Sequence, residues 1–428
     1  MARTTNPTLD IHRYDRKYED ARKSLLRSAV SDRNKDLILR YRDACLLKGV
    51  CSRVRLIRVI GALKVMGVAL GRDFDTATKV DLQGLVAGLM QHQPAYSAET
   101  LGAYKAILRS FYTWLVLPDE FPTRHYPPIV AWLNCHVKAR DKMRLSRHEL
   151  LTPQDIESLL RVCHNPRDRA FISVLWETGT RVSEIGNLQL KHVTKHQHGF
   201  TLEVTGKTGT RSPLIIASAP YLTFWLNHHP FAENPENPLW VHYQYEHTPG
   251  FLKYDTIRNM LKNMFERAGI TKPFHPHAFR HARATFLLAR GVLTEAQAKV
   301  YFGWSPCSEQ LATYAHLIDH DANHALLREH GLAPPQRQQE DLTPVECGIC
   351  GTLNPPRTFL CMRCGTTSSP SMPLHQATLL PDDRLKLLLK GLVDRGLGDD
   401  AVQLIHDVGL GPTLQRLISD RENQQSPS

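Results

Sequence analysis

HPHAFRHARATF, residues 275–286, sets three histidines and two arginines into twelve positions before the chain turns apolar. Three chemistries fit such a stretch: a metal cluster, a basic nucleic-acid surface, or acid–base work at a catalytic site. If a helix has begun by His277, the i, i+3 spacing puts His277 and Arg280 one turn apart on a shared face. A metalloenzyme would use His275, His277 and His281, yet no carboxylate or cysteine lies nearby in sequence to complete the ligand set. The choice depends on what the rest of the chain brings to this stretch.

The 428 residues are 42% apolar, enough for two or three folded domains. The formal charge of +11 favours a polyanionic partner, nucleic acid first. No apolar run approaches the ~20 residues of a membrane span, and the first residues lack the apolar core of a signal peptide, so a cytoplasmic protein with no membrane partner is expected. Cys45, Cys51, Cys135, Cys163 and Cys307 are scattered, as in a reducing compartment.

Residues 15–120 read as helical. Apolar positions recur three and four apart over 33–48 and 53–70, and Ser97 is placed to cap a helix from Glu99 to Val116. There Leu101, Tyr104, Leu108, Phe111 and Leu115 form a core-facing stripe, with Lys105 and Arg109 facing away. The prolines and basic run of 118–145 read as a linker. Thr152 and Pro153 then supply the N-cap and first position of a helix that opens a second domain. Helices dominate this domain, except where strands at 200–205 and 212–217 flank GKTGTR (206–211) and predict a hairpin. A proline-rich linker at 331–344 leads to two cysteine pairs and a helical tail. From residue 371 that tail carries eight acidic and six basic residues, so the positive charge belongs to the earlier domains. Its leucine-lined face suits protein contact or a self-packed hairpin.

CGIC (347–350) and CMRC (361–364) are C-x2-C knuckles, and Gly351 and Gly365 suit the positive φ that follows each knuckle. Cys347, Cys350, Cys361 and Cys364 would supply four thiolates to a structural Zn2+, leaving no open position for catalysis.

Three further pieces accompany the opening stretch. WETGTRVSEIGNL (176–188) puts Arg181 after a Gly179 turn at a helix start, with Glu184 within one turn to orient it. The hairpin turn presents Lys207. YFGWSPCSEQLATYAHL (301–317) puts Trp304 in a Gly-Trp turn and Tyr314 on a short helix that Ser308 can cap. This assembly suits phosphoryl transfer: guanidinium forks bind equatorial phosphate oxygens and stay charged. A lysine on a hairpin can protonate a leaving alkoxide. Tyrosine, with a pKa near 10, is phenolate in only about one molecule per thousand at neutral pH, so it needs nearby cations or a base before it attacks. No acidic magnesium cluster or P-loop is evident in the sequence.

The ordered segments TGTRVSEI, GKTGTR, HAFRH, GW and TYAHL resemble the motif set of the tyrosine recombinase (phage integrase) family. ETGTRVSEIGNL and AQAKVYFGWSPCSEQLATYAHL, with the appended cysteine pairs, resemble its archaeal branch. The resemblance implies a mainly α fold with a small antiparallel β-sheet. It divides the chain into a helical core-binding (DNA-binding) domain and linker (1–145), a catalytic domain (146–335), linker and zinc ribbon (336–370), and a helical tail (371–428). It further implies that Arg181 and Arg280 clamp the scissile phosphate, and that His277 hydrogen-bonds it and helps take the tyrosine proton. Lys207 would protonate the 5′-oxygen, while Tyr314 attacks to form a 3′-phosphotyrosyl link, with no catalytic cofactor. Trp304 stands where many bacterial members carry histidine, which makes His277 the main histidine of the site. Glu184, Arg211 and His281 are supporting residues, Arg211 as a phosphate contact and His281, like Arg283, as a neighbour of the site or a backbone-phosphate contact. His275 reads as structural, and Tyr301 and Tyr254 are rival tyrosines. The implied partner is double-stranded DNA, bound by a homo-tetramer on paired sites, for integration or excision of a mobile or viral element. A non-catalytic DNA-binding protein of the same fold is the alternative.

Overall fold

Four of the first five helices start on a serine or threonine whose side chain accepts a backbone N–H from the first turn. The computed structural model describes residues 9–138, 146–206, 208–242, 250–305, 308, 344–356 and 361. Contacts divide the chain into units 1–341 and 342–428. The first unit opens with α1 (Tyr14–Leu26), α2 (Asp32–Leu47), α3 (Arg53–Leu70), α4 (Lys79–Met90), α5 (Ala98–Val116) and the short α6 (Pro128–Ala131). Ser31, Ser52, Thr78 and Ser97 cap α2 to α5, satisfying amide groups that a helix start would leave unpaired.

Apolar faces of α2 to α5 meet around Phe74, Phe111 and Tyr41, with Phe111 edge-on to both other rings. Buried Asn34 fixes the turn after α3, donating to the Arg72 carbonyl (2.9 Å) and accepting from Phe74 N–H (2.7 Å). Phe121, Val130 and Leu133 join this core. The first half of the expected linker is therefore packed chain, because its apolar residues find a hydrophobic seat. Arg109 also departs from expectation: its guanidinium lies 4.2 Å over the Tyr126 ring and Nη1 donates to the Leu133 carbonyl (3.4 Å), fastening that segment to α5.

The rest of the unit runs α7 (Pro153–Arg161), α8 (Pro166–Thr178) and α9 (Val182–Gly186), then β1 (Val193–His196), β2 (Gly199–Leu202), β3 (Val204–Gly206), β4 (Gly209–Arg211) and β5 (Leu214–Ile215). After these come α10 (Ala219–Asn227), α11 (Tyr254–Arg267), α12 (Pro276–Ala289) and α13 (Glu295–Phe302). Helix α8 is buried along nearly its whole length and packs against α7, α10 and α12, so even its Arg167, Asp168 and Glu177 side chains are buried and take their partners within the fold. Strands β1, β2 and β5 form an antiparallel sheet, and β3 and β4 extend the expected hairpin as a separate pair. Strand β1 was not expected, since VTKH shows no apolar alternation. No helix among the described residues is long and apolar enough to cross a membrane.

A short strap precedes α1. Ile11 is buried; its N–H donates to Asn187 Oδ1 (3.0 Å), and its carbonyl accepts from Tyr254 N–H (2.9 Å). Its side chain occupies the space a Cβ on Gly186 would need, 2.7 Å away. Tyr254, one of the rival tyrosines, is thus part of this seat, its ring 4.7 Å from that of His12.

In the second unit, β6 (Val345–Glu346) pairs antiparallel with β7 (Leu353–Asn354) around the first cysteine knuckle. The helical tail and the expected helix carrying Tyr314 lie outside the described residues.

Candidate active site

Arg181 is the N-cap of α9, placed there by Gly179, which ends α8 at φ 54. A Cβ on Gly179 would fall 2.7 Å from the Phe302 ring, so the turn needs glycine for both conformation and space. Arg181 Nη1 donates to Glu184 Oε1 (2.8 Å) and Nη2 to the Gly303 carbonyl (3.3 Å). Arg280, on α12, is almost wholly buried and donates to the Gly179 carbonyl (2.9 Å) through Nη1 and the Phe302 carbonyl (2.6 Å) through Nη2. The two guanidiniums therefore hold consecutive carbonyls of one turn. Trp304 is also buried, stacked on Phe302 with ring centroids 5.1 Å apart, and the Arg280 guanidinium lies near both rings.

Glu184 stands behind this pair. Its Oε2 accepts from Arg211 Nη2 (2.7 Å), and its side chain is 1% exposed. Burial alone would raise this carboxyl's pKa; the hydrogen bonds and charges of Arg211, with further hydrogen bonds from Arg181, more than offset it and hold the group below its ordinary value. Arg211 Nε also donates to the Tyr301 carbonyl (2.8 Å).

Helix α12 starts at Pro276, so His277 and Arg280 do lie one turn apart. His277 is exposed at the helix start, yet the surrounding protein lowers its pKa, with Arg280, His275 and Arg181 adding to the effect against Glu184. A neutral imidazole able to accept a proton results. His275 is structural, as expected: its Nδ1 accepts from Ala278 N–H (3.1 Å) and caps α12. His281, its ring centroid 6.3 Å from that of His277, is pushed down to about 4 by burial first and then by the neighbouring histidines and Arg280.

Two alternatives left open by the sequence narrow. Arg283 is buried, stacked near Trp176 and Phe286, and donates through Nε to the Glu177 carbonyl (3.0 Å), so it holds the core and is not presented to a phosphate. Tyr301 donates its hydroxyl to the same carbonyl (3.0 Å), and burial pushes its pKa up to about 12, which removes it as a rival nucleophile. Lys207 and Tyr314 lie outside the described residues. The residues on either side of Lys207 are placed: Gly206 pairs with Gly209, and Thr208 Oγ1 donates to the Gly303 carbonyl (2.9 Å).

Glu177 and Thr208 escaped the sequence reading. The buried Glu177 carboxylate accepts from the amides of Ile216 (2.7 Å), Ala217 (2.9 Å) and Ser218 (2.7 Å) and from the Ser218 hydroxyl, tying β5 to α8. Its one sequence signal was an acidic residue ending an otherwise apolar stretch, directly before the glycine turn.

In the second unit the Sγ atoms of Cys347, Cys350 and Cys361 lie within 4.8 Å of one another, with Cys350 and Cys361 3.6 Å apart. Thiolates around a zinc at about 2.3 Å would be about 3.8 Å apart, so these three fit a tetrahedral thiolate site. Gly351 follows the knuckle at φ 66, and its N–H donates to the Cys347 carbonyl (2.9 Å). Cys364 lies outside the described residues.

Residues 149–320 match the phage integrase family. A tyrosine recombinase XerD from Listeria monocytogenes is 28% identical over 235 residues, covering 53% of this chain and 74% of the relative. A tyrosine recombinase from Pseudothermotoga lettingae is 25% identical over 257 residues, covering 59% and 83%. The crystal structure of the XerH site-specific recombinase bound to a palindromic difH substrate, a post-cleavage complex, matches with a TM-score of 0.51 at 16% identity, over 77% of this chain and 98% of that one. That structural likeness shows the fold; the sequence matches support the tyrosine recombinase family.

Proposed function

We infer that this chain is a site-specific tyrosine recombinase, cutting and rejoining duplex DNA through a covalent phosphotyrosyl intermediate. The observation that carries the reading is the pair of guanidiniums of Arg181 and Arg280, held on consecutive carbonyls of the Phe302–Gly303 turn with Glu184 behind. Anchoring N–H donors of each guanidinium to protein orients the fork, the planar geometry with which arginine recognises a phosphate. Fixed donors of this kind stabilise charge as it develops on the equatorial oxygens.

The chemistry then follows in steps. The Tyr314 hydroxyl attacks phosphorus and its proton passes to neutral His277. The bond from phosphorus to the 5′-oxygen breaks, and Lys207 supplies that oxygen's proton. A 3′-phosphotyrosyl bond has replaced a phosphodiester of similar energy, so attack by a new 5′-hydroxyl reverses the step without ATP. Side chains alone supply every proton and charge here. The thiolates of Cys347, Cys350, Cys361 and Cys364 would hold a structural zinc that takes no part in these steps. The biological task is integration or excision of a mobile or viral element, performed by a tetramer on paired sites; the XerH complex with difH DNA supports a DNA partner by analogy.

A nicked suicide duplex carrying the cognate site tests the reading. Wild-type protein forms a denaturation-resistant protein–DNA adduct, and Tyr314→Phe forms none. Adduct formation by Tyr314→Phe would displace that tyrosine, and no adduct with wild type on its flanking attachment sequences would leave a DNA-binding protein without strand-cleaving activity.

A further inference from the structure

We propose that Arg211 is a positioning residue for proton delivery by Lys207, an inference that rests on the recombinase reading. From sequence, Arg211 is a phosphate contact. Its geometry is that of an inward brace. The side chain is only 11% exposed, Nε donates to the Tyr301 carbonyl at 2.8 Å, and Nη2 donates to Glu184 Oε2 at 2.7 Å. The remaining terminal nitrogen, Nη1, is buried too and has no hydrogen-bond partner among the described residues. A guanidinium spent this way does not face a DNA backbone.

What it braces is the hairpin. Arg211 closes β4, whose partner β3 ends at Gly206. Gly206 sits so close to Glu184 that a Cβ there would fall 2.2 Å from Oε1. On the other side of Lys207, the Thr208 hydroxyl holds the Gly303 carbonyl at 2.9 Å, the same carbonyl that Arg181 takes. Of the two chain neighbours of Lys207, one is thus bonded to and the other packed against the groups that orient the phosphate clamp. Arg211 ties the base of that hairpin to the same carboxylate and to the chain just before the Gly-Trp turn. A general acid must lie within hydrogen-bond reach of its oxygen, so loosening the brace withholds the Lys207 proton while leaving Arg280 in place.

The test separates proton delivery from phosphate binding by changing the leaving atom. With a normal 5′-oxygen, the departing alkoxide needs a proton; with sulfur bridging that position, the phosphorus–sulfur bond breaks to give a thiolate that needs none. Single-turnover cleavage of both suicide duplexes is measured for wild type, Lys207→Ala, Arg211→Ala and Arg211→Gln, with thermal unfolding as a folding control. On the oxygen substrate each variant slows by about 10²–10⁴-fold, the usual worth of a general acid. On the sulfur substrate each recovers to within about tenfold of wild type, the range left for a clamp that remains intact. The inference is overturned if folded Arg211 variants stay equally slow on sulfur, or cleave the oxygen substrate at the wild-type rate. It also falls if Lys207→Ala is not rescued. A wild-type protein that forms no adduct with either substrate would instead sink the recombinase reading itself.

Discussion

In the helical bundle the buried polar side chains among the described residues are Asn34 and Thr113, whereas residues 146–305 bury Arg167, Asp168, Glu177, Glu184, His229, Arg280 and Arg283. The bundle core is held by apolar contact, a non-directional force that tolerates exchange of similar volumes. The catalytic part is held in addition by hydrogen bonds to carbonyls and carboxylates, which demand their partners in fixed directions. Burying those charges is costly unless every one is paired, so this part concedes stability to keep a fixed geometry. Stability and chemistry should therefore separate in the first region and move together in the second.

The largest effect should come from Phe111→Ala, which empties the centre of the bundle and costs about 3–5 kcal/mol by denaturant unfolding. Cleavage of pre-bound DNA at saturating concentration should be unchanged; a slower chemical step would break the distinction. Next, Arg280→Ala should slow single-turnover cleavage by about 10²–10³-fold, as for loss of a fixed charge-stabilising donor. Arg280→Lys should restore little, because one ammonium cannot span the Gly179 and Phe302 carbonyls as the fork does. Full activity of the lysine variant would show that charge alone matters.

A smaller effect is pH-dependent. His281 titrates at about 4 in the folded chain against 6.5 for an ordinary histidine, so it is neutral when folded and takes up a proton on unfolding at intermediate pH. Its contribution is complete above pH 6.5 and is lost as pH falls towards 4. Across that window, the pH slope of unfolding free energy should be shallower by up to about one proton in His281→Asn. An unaltered slope would place the acid sensitivity elsewhere. The smallest effect should be Ser97→Ala, about 1 kcal/mol for a lost helix cap, with cleavage unaffected.

What the sequence made legible follows the same division. Helix starts at Ser97 and Thr152 were readable because capping is local, and the His277–Arg280 turn because it follows from helical spacing alone. The role of Arg211 was not: its partners Glu184 and the Tyr301 carbonyl are distant in sequence, and no spacing rule links them. The partners of Glu177 were illegible for the same reason, its carboxylate being claimed by three backbone amides that any residues could supply. Arg109 looked like a surface cation because periodicity marks the face of a helix, not the loop that returns to cover it.

The strap at Ile11 imposes an order on biosynthesis. Its partner Asn187 comes 176 residues later in the chain, and Tyr254 later still. At about 5–20 residues per second, a ribosome needs about 10–35 s to reach the first of them. The bundle can bury its core in that interval, while Ile11 waits for Gly186 to exist. Made well before both of its partners, it finds its place only after them.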